Sequence, residues 1–330
     1  MSASLPLDCI LGRCDSLRAE VFFRAEVPPG VAADEAVLTG TLSGPYCKHA
    51  ITLPVTAKLG PVPGPDATEA PAAATTLVAR TILTEPSFWT PELPGLYRLE
   101  ARLVVAGREV AAWRRLVGLR RLGVRGRSLW LDGRRYVPRG LVGPADDLAA
   151  FRAASLAAVM SDPSEEFLTR ADAEGVAVLG LLADAVGQPL AGEAAAAAVL
   201  RWAWHPAVFM AVVPRAASAA TAGEMAAATH GRRGTLLVAW EADGSRPPPA
   251  VPVGVDLLVV TLSASGLPHE AWRTEPPAMP LVARRLADEA SASAAQSRSR
   301  RECDALQAAL ASWGTAAGVR GPDWAGYVTG

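Results

Sequence analysis

The 330-residue chain has few lysines, Lys48 and Lys58 being the only two, so arginine carries its basic charge. With alanine abundant, that bias reflects genome composition rather than phosphate chemistry. The formal net charge is −1, which leaves no overall pull toward nucleic acid or an anionic membrane. Cys9, Cys14, Cys47 and Cys303 form no C-x-x-C pair and have no histidine at metal-ligand spacing, so free thiols are expected and no metal. No apolar run is long enough to span a membrane, and the first residues lack a basic segment followed by an apolar stretch. A soluble, cytoplasmic protein without a cofactor is the expectation. Dinucleotide, P-loop and serine-hydrolase chemistry are also excluded. No strand-like run leads into G-x-G-x-x-G, and neither a Walker loop nor a G-x-S-x-G elbow occurs.

What is present suffices for about two domains, since half of the residues are hydrophobic. Up to about residue 122 short alternating segments recur: Ala19–Ala25, Ala36–Leu42, Ala50–Ala57, Thr75–Leu83, Gly95–Val105 and Glu109–Leu116. Pro- and Gly-rich turns separate them, and Pro61–Ala74 reads as an exposed loop. That spacing predicts a β-sandwich. Asp132-Gly133 is a hairpin signal. Beyond it apolar runs alternate with helical stretches, as in a parallel sheet built of βα units. The runs are Tyr136–Val142, Leu156–Met160, Val176–Leu182, Val208–Val213, Thr235–Trp240, Asp256–Leu262, Met279–Ala283 and Trp324–Thr329. Eight such strands match a closed barrel. Helices are expected at Asp146–Ala154, Ser164–Glu174, Gly192–Trp202, Ala216–His230 and Ala287–Trp313, with Ser164 as an N-cap. The connections after strands five and six are too short for full helices, which predicts a trimmed barrel.

Several segments resemble family-two glycoside hydrolases, the β-galactosidase and β-glucuronidase group. Phe88-Trp89-Thr90-Pro91-Glu92-Leu93-Pro94-Gly95-Leu96-Tyr97 is similar to the family's L-W-S-P-E-x-P-x-L-Y. Gly118–Arg121 followed by Leu129–Gly140 is similar to its G-F-R and F-x-L-N-G-K-P-V-x-L-R-G. Ala171-Asp172-Ala173-Glu174-Gly175-Val176 is similar to C-D-E-x-G-I. His205-Pro206-Ala207-Val208-Phe209-Met210 resembles the N-H-P-S-I-I that opens the family's fourth barrel strand. The resemblance implies an immunoglobulin-like β-sandwich (1–122), a hairpin linker (123–135) and a trimmed, degenerate (β/α)8 TIM-type barrel (136–330).

Hydrolysis of a glycoside needs two facing carboxyl groups, one to protonate the leaving oxygen and one to attack or to activate water. Aligned on His205-Pro206, the family's acid/base position falls on Ala216, preceded by Arg215. The nucleophile position falls on Arg285, or on Arg284 with a slip of one residue. A supporting arginine is replaced by Met160. The resemblance therefore implies the fold without its catalytic residues, a non-catalytic pseudo-glycosidase binding a saccharide or protein partner at the barrel mouth.

Candidate ligand contacts there are Trp240, Glu241, Trp272, Asp184 and Arg215, with Asp162 and Glu275 as further strand-end acids. For each, solvation of a polar loop or packing of a tryptophan is the plain alternative. Two other functions stay open: a hydrolase with relocated acids, Glu241 with Asp184 or Glu275, and a structural module of a larger assembly. His205 is expected to be structural, because it lies at the opposite end of its strand.

Overall fold

The computed structural model describes residues 5–27, 31, 35–62, 76–143, 145–184, 186–287, 300–315 and 321–330. The chain divides into two compact units, residues 1–89 with 93–120, and residues 90–92 with 121–330.

The first unit is all antiparallel strand: β1 (Leu7–Cys14), β2 (Arg18–Glu26), β3 (Ala36–Tyr46), β4 (Val55–Pro61), β5 (Thr76–Thr84), β6 (Leu96–Val105) and β7 (Arg108–Val117). Alternation creates its core, since Ala19, Val21, Phe23 and Ala25 of β2 are buried and the residues between them are not. The two expected sheets are hydrogen-bonded into one, in the order β1-β2-β5-β4-β3-β6-β7. The link is β4, which pairs with β3 along Gly40–Gly44 and with β5 only at Gly60 and Pro61. The architecture is sandwich-like. The strand expected at Ala50–Ala57 begins instead at Val55, immediately after Pro54, which has no N–H to donate to a ladder. Most of the Pro61–Ala74 loop lies outside the described residues.

In the second unit β8 (Leu122–Arg125), β9 (Ser128–Leu131) and β10 (Arg134–Tyr136) form a three-stranded sheet. Asp132 (φ 48°) and Gly133 (φ 76°) both adopt positive φ, as a tight two-residue hairpin turn requires. The eight strands that follow are β11 (Arg139–Val142), β12 (Ala157–Ser161), β13 (Val178–Leu181), β14 (Val208–Val213), β15 (Leu237–Asp243), β16 (Leu257–Leu262), β17 (Leu281–Arg285) and β18 (Trp324–Thr329). They pair in parallel and close into a barrel, with β18 bonded back to β11. The run expected at Tyr136–Val142 is divided between β10 and β11 at Val137-Pro138. Pro138 lacks a donor, and its carbonyl accepts from Tyr327 N at 2.9 Å.

Helices intervene between most strands: α1 (Leu148–Ala153), α2 (Glu165–Glu174), α3 (Gly192–Trp202), α4 (Ala219–Thr229), the single turn α5 (Ala271–Thr274) and α6 (Arg300–Thr315). The Ser164 side chain caps α2 by accepting from Phe167 N at 3.2 Å, and Gly175 ends it in the left-handed conformation. No helix joins β15 to β16. A proline-rich extended segment through Pro247, Pro248, Pro249 and Pro252 spans that gap. The start of the helix expected at Ala287–Trp313 falls on residues outside the description.

The barrel interior is apolar and packed, with Val159, Leu179, Ala239, Val259 and Val282 in one cluster. Leu122, Leu129 and Leu131 of the three-stranded sheet join that cluster, and Tyr136 packs edge-on to Phe209 with ring centroids 5.6 Å apart. The stretch expected as a linker thus packs on the barrel as a sheet.

At the N-terminal end of β14 the buried His205 donates from Nδ1 to Asp172 Oδ2 at 2.6 Å, and Asp172 Oδ1 accepts from Ala207 N at 2.9 Å. His205 Nε2 stands 3.2 Å from Glu165 Oε2, near enough for ion pairing but poorly aligned for a hydrogen bond. Burial is the largest single influence on the ring and favours its neutral form. The Asp172 hydrogen bond and charge, joined by Glu165, outweigh it and hold the His205 pKa above its ordinary value.

Two outcomes follow. Asp172→Ala strands the imidazolium and should cost roughly 3 kcal/mol. The stabilisation from a raised histidine pKa is complete below about pH 6.5 and lost as pH climbs through the folded value. Urea midpoints of the native chain and His205→Gln should therefore converge as pH rises through that range. A gap that widens with pH contradicts the charged ring.

Candidate functional site

The C-terminal ends of β14 and β15 and the segment after β15 enclose a cavity of about 470 Å³. Its lining includes Arg215, Ala216, Trp240, Glu241, Asp243 and Arg246. Glu241 lies two residues from Ala239 on β15 and so shares its face, and Ala239 belongs to the interior cluster, so the carboxylate points toward the barrel axis. The same alternation carries Thr261 of β16 and Arg284 of β17 inward, in step with Val259 and Val282.

These three side chains meet. Glu241 Oε1 accepts from Thr261 Oγ1 at 2.6 Å and from Arg284 Nη1 at 2.7 Å, and Oε2 accepts from Arg215 N at 3.2 Å. The Glu241 and Arg284 side chains are only 9% and 14% exposed. Three donors on one carboxylate form a polar cluster above the apolar interior, at the floor of the cavity. Arg284 Nε is buried without a partner, the residual cost of placing a guanidinium there.

Asp243, one step further along the same face, is held by its own turn. Its Oδ1 accepts from Ser245 Oγ at 2.7 Å and Ser245 N at 2.9 Å, while Arg215 and Arg246 approach Oδ2 to 3.7 and 3.8 Å. The two Ser245 hydrogen bonds, aided by the arginines against a weaker burial effect, keep its carboxyl below the ordinary range.

The sequence-derived candidates separate on this geometry. Arg215, Ala216, Trp240 and Glu241 come together at the cavity. Trp272 does not: it is fully buried, and its indole N–H donates to Arg246 O at 2.7 Å, fixing the cavity wall from behind. Asp184 does not either. Its carboxylate accepts from Val186 N and Gln188 N, capping its own loop. Asp162 pairs with Arg201 at 2.7 Å on the surface, and Glu275 is exposed outside the lining. Trp240 lines the cavity but is 8% exposed, and its buried indole N–H has no partner among the described residues, so packing dominates.

On β17 Arg284 faces the axis in step with Val282, whereas Arg285 alternates to the opposite face, and neither belongs to the cavity lining. Burial lowers the Arg285 pKa. Met160 alternates with the interior residue Val159 and so faces away from the axis. Residues that sequence reasoning missed are Asp243 and Arg246. Asp243 had a signal, since it lies two positions after Glu241 on the same strand.

Among the described residues, no cluster of three or more His, Cys, Asp or Glu side chains fit to hold a metal occurs, and no helix is long and apolar enough to cross a membrane. No protein-family model and no curated protein matches the sequence. Solved structures do match the fold. A β-glucuronidase from Ruminococcus gnavus in complex with D-glucuronic acid superposes with a TM-score of 0.64 at 12% identity, over 99% of this chain and 61% of that one. A Bifidobacterium dentium β-glucuronidase complexed with coumarin-3-O-glucuronide gives 0.56 at 13% identity, over 86% and 53%. A Bacteroides fragilis protein described as a β-galactosidase gives 0.57 at 13% identity, over 86% and 47%. The chain thus spans about half to three fifths of these proteins. At such identity the likeness concerns the fold, which is that of β-glucuronidase- and β-galactosidase-like glycoside hydrolases.

The Glu241–Arg284 pair makes a quantitative expectation. Arg284→Ala leaves a buried carboxylate without its counter-charge and should cost roughly 3 kcal/mol. Glu241→Leu combined with Arg284→Met should cost far less than the two single changes together. A urea-unfolding double-mutant cycle reads this directly, and strictly additive losses would show that the pair does not act as a unit.

Proposed function

We propose that this chain is a pseudo-glycosidase, a trimmed and degenerate (β/α)8 barrel of the family-two glycosidase type that binds a saccharide or protein partner without cleaving a glycosidic bond. The observation that carries this reading is the engagement of Glu241 by Thr261, Arg284 and the Arg215 backbone. A retaining site needs one carboxyl group able to give up a proton and a second free to attack, about 5–5.5 Å apart. Asp243 is held below the ordinary carboxyl range and so carries no proton to donate near neutral pH. Glu241 has three of its roughly four lone-pair sites engaged. The acid/base position is the methyl group of Ala216, and the inward residue at strand seven is a guanidinium.

The cavity suits recognition instead. Arg215 and Arg246 are 52% and 81% exposed in their side chains and present donors beside the acceptor Asp243. Such a mixed set matches polar groups on a partner, with the indole of Trp240 as a wall rather than a stacking platform.

A relocated-acid hydrolase is the second reading, because one cavity gathers Glu241 and Asp243 from the same strand face. Aryl β-glucuronide and aryl β-galactoside hydrolysis separates the two. The purified chain should show turnover no greater than Glu241→Gln or Asp243→Asn. Activity that either substitution abolishes would establish the hydrolase.

A further inference from the structure

The sheet β8–β10 has a second face that the barrel does not use. Leu122, Leu129, Leu131 and Tyr136 point to the barrel core, so alternation sends Arg125, Trp130 and Arg135 the other way. The register sets Arg135 opposite Trp130, and Trp130 opposite Gly123. The Arg125 guanidinium lies over the Trp130 ring, 4.8 Å from its centroid. A Cβ on Gly123 would meet nothing within 4 Å, so the row ends in open space. Arg127 and Arg134 add exposed cations at the two turns.

Counter-charge is scarce here. The one carboxylate between Arg121 and Arg139 in the sequence is Asp132, and Arg121 holds it. Among the described residues, Arg125, Arg127, Arg134 and Arg135 form no ion pair with a carboxylate. This concentration of positive charge stands in a chain whose net charge is −1.

We propose that this face docks an extended acidic peptide segment of a protein partner, whose carboxylates pair with Arg125 and Arg135 on either side of Trp130. Guanidinium groups recognise carboxylates through paired N–H donors, and acidic segments are commonly read by arginine clusters. The geometry favours a peptide over the other polyanions. Single-stranded nucleic acid adds base stacking on open aromatic faces to its phosphate contacts, and a sugar ring stacks on the same kind of platform. Arg125 covers the ring of Trp130, the single aromatic residue on this face. The surface is distinct from the barrel-mouth cavity and does not depend on its role.

The test is fluorescence anisotropy of a labelled oligoglutamate peptide with the full chain, with oligothymidylate and heparin as competing probes. Oligoglutamate should bind saturably and weaken toward about 1 M salt, where the screening length falls to about 3 Å. Arg125→Glu with Arg135→Glu should weaken binding about tenfold or more, and Trp130→Ala should weaken it less. Arg301→Glu, an exposed change on α6, should leave it unaltered. Thermal melts of each variant confirm folding, and Arg135→Gln serves where a charge reversal unfolds the chain. No saturable binding, an equal loss with Arg301→Glu, or tighter binding of oligothymidylate or heparin overturns the proposal.

Discussion

A carboxylate inside a barrel mouth can take part in acid–base chemistry only if a proton or a lone pair is free. Three of the roughly four lone-pair sites of Glu241 are already committed, to Thr261, Arg284 and the Arg215 backbone. The other features of the mouth follow from that constraint. An arginine pointing to the barrel axis needs an inward acid, since a lone guanidinium there would carry several kcal/mol of desolvation.

The rest of the second unit keeps that arrangement in place. Below the ion pair the interior is apolar, and Leu129, Leu131 and Tyr136 of the three-stranded sheet extend the packing. His205, Asp172 and Glu165 hold the start of β14 through charge rather than catalysis. Behind the cavity, buried Trp272 anchors the Arg246 carbonyl where no helix follows β15. The strand that leads to Ala216 is therefore rigid at its base, while its tip carries no acid.

Local signals were legible in the sequence wherever the chemistry is local. Asp132-Gly133 specified its turn, Ser164 its cap, and His205-Pro206 the start of a buried strand. The strand β1 escaped notice because Leu7–Cys14 is half-buried along most of its length and lacks clean alternation. The site was harder to read. Glu241 and Arg284 are 43 positions apart, and only closure of the barrel brings them together. Trp272 looked like a ligand platform because nothing in its neighbours reveals that its indole N–H binds the Arg246 carbonyl. Asp184 looked like a mouth acid, but its short-range turn, which consumes the carboxylate, lies in the backbone rather than in residue type.

The central claim is that no carboxylate in this barrel can become bonded to a sugar. Intact mass spectrometry after exposure to 2-deoxy-2-fluoro aryl β-glycosides tests it, because these reagents trap a glycosyl–enzyme ester wherever a retaining nucleophile works. An unchanged mass is the predicted result. A stoichiometric glycosyl adduct mapping to Glu241 or Asp243 would contradict it.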